Sequence, residues 1–258
     1  MLRIAGSLRS SARPLLARGT AAAAQYHRQA TLPYPADKGL APFLSPASVD
    51  FLYNMRQVEL LNNVNRLAGG TENEGKSLAG VIFDAAEDPS QTALQNNASQ
   101  AWNMNFFLQT LTNEPRPPHE SVRRTIAEQF GSFDRFKEMF SQHALALFGN
   151  GWTWMVQNES GKLSVMNTYN AGSPLTAIRT NIHAKVQGVS FSTISRRIGN
   201  HQFVKLTPVL GLSMWQEAYL PDYGIDRATY VERFWESVNW LAVDERLMSV
   251  QRTPSAMR

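Results

Sequence analysis

All three runs of this sequence that read as strand lie beyond residue 150, whereas the regular structure before Pro115-Arg116-Pro117-Pro118 reads as helix. That order implies an α+β fold: a helical N-terminal part, then a small sheet with helices against it. The proline cluster marks the boundary between a helical hairpin domain (34–115) and an α/β domain (116–247). In residues 45–65, Val49, Leu52, Tyr53, Val58, Leu60, Leu61 and Val64 recur mostly three or four apart, which is a helical period. Gly69-Gly70 stops that helix, and Thr71-Glu72-Asn73-Glu74-Gly75 reads as a loop. A second helix over 93–112, carrying Trp102, Phe106 and Phe107, completes the hairpin.

Beyond the prolines, a helix over 120–130 ends at Gly131, and Ser132 caps the next, which runs to about residue 148. Strands at 152–157 and 163–168 flank the turn Asn158-Glu159-Ser160-Gly161, and 206–214 is a third. One long helix over 227–246 closes the chain, with Val231, Phe234, Trp235, Val238, Leu241 and Ala242 directed inward.

The formal charge of +4 is unevenly laid out. Residues 1–33 carry Arg3, Arg9, Arg13, Arg18 and Arg28, three serines and no acid. This is the pattern of a disordered mitochondrial transit peptide, the alternative being a basic tail that stays attached. A leader of that kind places the protein in the mitochondrial matrix. Setting those five arginines aside leaves 20 basic against 21 acidic residues, so the body is not a generally basic nucleic-acid binder. Residues 176–206 are an exception, with Arg179, Lys185, Arg196, Arg197 and Lys205 and no acid. Such a block can meet phosphate or stand as a solvated loop. The tail at 248–258 is also basic, with Arg252 and Arg258. With no cysteine there is no disulfide, thiolate metal site or cysteine nucleophile. No apolar run reaches the ~18 residues that cross a bilayer, so no membrane partner is expected.

Several segments follow one another in a particular order. They are Asn62-Asn63-Val64-Asn65, Gly70-Thr71-Glu72-Asn73-Glu74-Gly75-Lys76-Ser77-Leu78 and Asn96-Asn97-Ala98-Ser99-Gln100-Ala101-Trp102-Asn103. Next come Phe130-Gly131-Ser132-Phe133-Asp134-Arg135-Phe136-Lys137, Phe148-Gly149-Asn150-Gly151-Trp152-Thr153-Trp154 and Asn170-Ala171-Gly172-Ser173-Pro174-Leu175. The last run leads from Trp215 through Asp222-Tyr223 and Phe234-Trp235 to Val238-Asn239-Trp240. With these segments the chain resembles the iron/manganese superoxide dismutase family over residues 34–247. The resemblance implies an N-terminal helical hairpin followed by an α/β domain with a small antiparallel sheet.

It also implies one metal held by four side chains. These are a histidine early in the first long helix, a second after Gln-x-Trp-Asn, and an aspartate and third histidine framing Asp-x-Trp-Glu-His. Carried onto this sequence, the four positions read Leu52, Met104, Ser213 and Glu217. Redox-active iron or manganese needs imidazole and carboxylate donors with one position open. Leucine offers no donor, a thioether is soft and weak, and serine is poor. The expectation is therefore a chain with no cofactor, no metal ligand and no catalytic residue, and hence no enzyme. The gateway tyrosine position is Leu60, and the histidine before it is Arg56. A buried Glu217 needs a cation, for which Arg56 of the same chain or of a partner is the candidate. Gln100, Trp102, Trp152 and Trp154 match positions around the pocket and read as core packing.

Family subunits pair around the positions held here by Arg56, Gln216 and Glu217. That candidate dimer surface suits a related, non-identical chain better than a second copy. A dismutase-like chain with these four replacements, a mitochondrial leader and a basic insertion resembles the fungal mitochondrial small-ribosomal-subunit proteins descended from superoxide dismutase, which occur as two related polypeptides. The implied role is structural, within the small subunit, with Arg179, Lys185, Arg196, Arg197 and Lys205 touching ribosomal RNA or a neighbouring ribosomal protein. Two alternatives stand beside it: a mitochondrial dismutase-like metal oxidoreductase with an altered site, and a free regulatory partner of a true dismutase.

Overall fold

The computed structural model describes residues 27–176 and 206–252. Residues 1–26 of the expected leader, the basic block with Arg179, Lys185, Arg196, Arg197 and Lys205, and the end of the basic tail lie outside the described residues.

The first helical arm consists of three joined pieces: α1 (Pro46–Asp50), a π-helical stretch (Phe51–Gln57) and α2 (Val58–Ala68). Ser45 opens it as an N-cap, its hydroxyl accepting from the Ser48 N–H at 3.2 Å. In the π-helical stretch Leu52 and Gln57 are the buried members, and Gln57 Nε2 donates to the Ala101 carbonyl at 3.0 Å. A further helix, α3 (Leu78–Ala85), follows the loop, capped by Ser77, and α4 (Thr92–Gln109) packs against both α2 and α3. The expected hairpin is present, with α3 as an addition. Sequence alone hides α3 because its residues are almost uniformly apolar and show no clear period.

Beyond the prolines come α5 (Glu120–Phe130) and α6 (Phe133–Ala146). As predicted, Ser132 caps α6, its hydroxyl accepting from the Arg135 N–H at 3.0 Å. The sheet has three antiparallel strands, β1 (Gly151–Asn158), β2 (Leu163–Tyr169) and β3 (Leu206–Ser213), in the order β2-β1-β3. Central β1 aligns Trp152 with Thr168 on one side and Ser213 on the other, and Trp154 with Met166 and Gly211. Gly211 is required by this packing, since a Cβ there would lie 2.7 Å from the Trp154 ring. Phe43, Phe107, Phe140, Trp152, Tyr230 and Phe234 continue the same buried core. The family-type α+β architecture expected from the sequence is thus the one observed.

The expected single helix over 227–246 is broken. After α7 (Gln216–Tyr223), α8 (Arg227–Phe234) stops and α9 (Trp240–Arg252) restarts. Between them the backbone pairs with the end of α4: Thr112 N–H donates to the Ser237 carbonyl at 2.8 Å, and Asn239 N–H to the Thr110 carbonyl at 2.7 Å. Groups engaged there cannot also serve a helix.

Residues 27–33, expected as the end of a disordered segment, are instead bound to the folded body. His27 N–H donates to Asn65 Oδ1 at 2.8 Å, and Asn65 Nδ2 returns a bond to the His27 carbonyl at 3.0 Å. Gln29 Nε2 reaches the Tyr53 carbonyl, and Tyr53 Oη donates to the Ala30 carbonyl at 3.0 Å. Gln109 Nε2 donates to the Thr31 carbonyl at 2.7 Å, and Leu32 packs against the main core.

Candidate functional site

Four elements bring together the positions singled out by sequence: the π-helical stretch carries Leu52, α4 carries Met104, the end of β3 carries Ser213 and the first turn of α7 carries Glu217. Leu52, Met104 and Ser213 are each 0% exposed. Leu52 and Met104 belong to one apolar cluster with Phe107, Trp152, Trp154 and Met214. The polar groups of Ser213 are engaged locally: its carbonyl accepts from Tyr230 Oη at 2.8 Å and its hydroxyl from the Trp215 N–H at 3.4 Å.

Glu217 is held by an ion pair. Arg56 Nε donates to Glu217 Oε1 at 3.1 Å, while Arg56 Nη1 donates to Glu59 Oε2 at 2.7 Å. Burial works against the Arg56 charge, but the two carboxylates outweigh it and raise its pKa above the ordinary arginine value. The cation that Glu217 needs is therefore supplied within the chain. Of the three candidate dimer-surface residues, Arg56 and Glu217 are engaged with each other and Gln216 is exposed.

Among the described residues, no group of three or more His, Cys, Asp or Glu side chains gathers where it could hold a metal ion. The iron or manganese that the fold family implies does not fit the four positions. Two carry buried side chains with no hard donor, one carries a hydroxyl that already accepts a hydrogen bond, and the single carboxylate faces a guanidinium.

Gln100 is 2% exposed; its Oε1 accepts from the Trp152 indole at 3.2 Å, while its Nε2 has no hydrogen-bond partner. Trp215 Nε1 is likewise unpaired. Both side chains border a cleft of about 400 Å³ that also involves Arg56, Leu60, Asn96 and Asn170. Its lining is mainly carboxamide, which both donates and accepts, and Arg56 at its edge is already paired with Glu59 and Glu217. Sequence reasoning did not place Asn96 or Asn170 at a site. A signal was available for Asn170, which adopts a φ of 51° before Ala171-Gly172, a conformation that asparagine tolerates better than most residues. Trp152 and Trp154 are fully buried core members, and the Trp154 indole donates to Thr168 Oγ1 at 2.9 Å.

Comparison with known proteins agrees with this architecture. The family profile described as iron/manganese superoxide dismutases, C-terminal domain, matches residues 118–184 and 181–246. A protein of Escherichia coli K12 named superoxide dismutase (Fe) is 36% identical over 217 residues, which span 84% of this chain and 95% of the relative. A Legionella pneumophila protein of the same name is 35% identical over 81% of this chain and 92% of its own length. A Plasmodium falciparum one is 32% identical over 83% and 92%. These names correct one expectation: relatives at 32–36% identity are named as dismutases and point to an enzyme, which overturns the reading of the chain as no enzyme. With a family profile over its C-terminal half and relatives aligned along more than nine-tenths of their own length, the chain belongs to the iron/manganese superoxide dismutase family.

Proposed function

We propose that this chain is a component of the mitochondrial small ribosomal subunit, contributing a dismutase-type fold to mitochondrial translation in the matrix. The observation that carries this reading is the treatment of the four positions inside an intact fold: Leu52 and Met104 join the core, Ser213 is bonded locally and Glu217 is paired with Arg56. Two features of the sequence support it. The first 26 residues are acid-free and carry four arginines, and residues 176–206 hold five cations and no acid. Its partners on this reading are small-subunit proteins, ribosomal RNA touched through Arg179, Lys185, Arg196, Arg197 and Lys205, and a related dismutase-like chain docked around Gln216. A near-balanced body charge suits a peripheral position held mainly by protein contacts. Sedimentation of mitochondrial lysate at graded salt tests the proposal: the protein travels with the small subunit at low salt, and its recovery near the top of the gradient at every salt concentration rejects it.

A second reading is favoured by the names of the relatives. It is a mitochondrial dismutase-like oxidoreductase with an altered site. Metal analysis of the purified protein separates the two, because stoichiometric iron or manganese together with dismutase activity selects the second.

A further inference from the structure

Two adjoining cavities meet beside α4. The cleft of about 400 Å³ described above shares Asn96, Asn170 and Ala171 with a second of about 300 Å³, which Gln95, Thr168, Tyr169 and Gly172 complete. One wall of the second is the tight turn after β2, where the Gly172 N–H donates to the Tyr169 carbonyl at 2.9 Å and Asn170 takes its positive φ. Packing keeps this turn compact, since a Cβ on Gly172 would lie 2.9 Å from the Tyr169 carbonyl oxygen. Gln95 and Asn96 of α4 supply the other wall. The carboxamides of Gln95, Asn96 and Asn170 make no hydrogen bond to another described residue. Tyr169 is 57% exposed, and its ring stacks on no other described aromatic. No charged side chain lines this second cavity. In the first, Arg56 is shared by Glu59 and Glu217, a group whose formal sum is 1 − 2 = −1, so an anion is repelled there.

A ligand that fits this place is neutral, carries donor and acceptor groups side by side, and has a flat face for the tyrosine. A carboxamide sets an N–H donor beside an acceptor oxygen in one plane. That is the complement of an adenine edge, where the N6 amino group stands next to the N7 acceptor. Exposed aromatic rings are the usual platforms on which such bases stack. We propose that the smaller cavity is an adenine-binding site, with Asn96 and Asn170 reading the edge of the base and Tyr169 stacking on its face. The base arrives on a free nucleoside or unstacked from a single strand of RNA. Only the RNA source rests on the ribosomal reading; the site itself does not. Its lining includes none of Arg56, Gln216 and Glu217, so it makes no use of the candidate dimer surface.

Titration of the isotopically labelled full chain with adenosine, followed by NMR, tests the site. The side-chain NH2 signals of Asn96 and Asn170 should shift saturably, with a Kd at or below about 1 mM. Inosine, which carries a carbonyl in place of the N6 amino donor, should bind about fivefold more weakly or worse, because one hydrogen bond is lost. Asn96→Ala and Tyr169→Ala, both at exposed positions, should each weaken adenosine by about fivefold or more while the unfolding midpoint stays in place. The absence of a saturable shift up to about 20 mM adenosine overturns the site, as does equal affinity for adenosine and inosine. A single-stranded oligoadenylate of about eight nucleotides and an abasic strand of the same length separate the two sources. Displacement of adenosine by the oligoadenylate alone assigns the base to RNA, and displacement by neither assigns it to a free nucleoside. Equal displacement by both strands means that phosphate is what binds, and the adenine assignment falls. A chain that binds adenosine yet never travels with the small subunit keeps the site and loses the ribosomal reading.

Discussion

Arg56 and Glu217 lie 161 residues apart, yet the guanidinium Nε of one meets the carboxylate of the other at 3.1 Å, joining the helical hairpin to the first turn of α7. Both side chains are about one-fifth exposed, at 23% and 20%, so the pair is neither fully screened nor fully desolvated. Replacing Glu217 by Gln leaves a neutral acceptor and is expected to lower stability by about 1 kcal/mol. A double-mutant cycle of Arg56→Met and Glu217→Gln should recover a coupling of similar size, reduced by added salt. Chemical denaturation measures all four proteins, and a coupling indistinguishable from zero at low salt would show that the pair contributes nothing.

Two buried indoles depend on side chains in different ways. Trp154 donates to Thr168 Oγ1, which itself donates to the Gly172 carbonyl at 2.7 Å. Thr168→Val leaves the buried Trp154 indole unpaired, while the Gly172 carbonyl keeps its bond from Asn103 Nδ2 at 2.9 Å, and should cost about 2–3 kcal/mol. Trp152 donates to Gln100 Oε1, but Gln100 Nε2 is itself unpaired, so Gln100→Leu removes one unsatisfied group while creating another. Its cost should be about 1 kcal/mol. Urea unfolding of both variants orders them; a larger loss in Gln100→Leu than in Thr168→Val would mean that Gln100 Nε2 is satisfied by water or ligand in solution.

Local signals carried far in this sequence. Ser132 was readable as a cap because a hydroxyl before a periodic apolar run has few other uses, and all three strands fall within about a residue of their expected ends. What stayed hidden depends on distant partners. Nothing near Ser237 announces that its carbonyl belongs to Thr112, so an amphipathic run reads as one helix where the structure has two. Asn65 reads as a surface amide on α2, and only the fold shows it gripping His27. At the four pocket positions the sequence revealed the side chains but not the arrangement replacing the donors, since the Arg56–Glu217 contact needed the two halves docked.

Three tyrosines set an alkaline limit. Tyr230 is fully buried beneath the Ser213 carbonyl, and burial holds its hydroxyl well above the ordinary value. Burial also raises Tyr34, and burial together with the Asp222 charge pushes Tyr223 up to about 12. The folded state favours the protonated phenol, while the unfolded chain releases its protons from about pH 10 upward. The stabilisation is therefore complete below about pH 10 and is lost as pH climbs toward the folded-state values. Thermal midpoints should fall steeply from about pH 10 to about pH 12, with the tyrosinate absorbance of Tyr34 and Tyr230 appearing only on unfolding. Tyr230→Phe should make the decline shallower. A midpoint independent of pH across that interval would contradict the burial argument.

The basic insertion gives the sharpest test of the ribosomal proposal, because its charge can be reversed without touching the described core. Arg196 and Arg197 supply two of its five cations. Each cation neutralising a phosphate contributes roughly one unit to the slope of log affinity against log salt, so Arg196→Glu with Arg197→Glu should flatten that slope by about two. Association should also weaken by tenfold or more at moderate salt, on the order of 1.4 kcal/mol. The unfolding midpoint should stay unchanged, which separates lost docking from lost folding. Unaltered cosedimentation of a correctly folded double variant at moderate salt would remove the insertion as a docking element and leave the protein contacts to hold the chain in place.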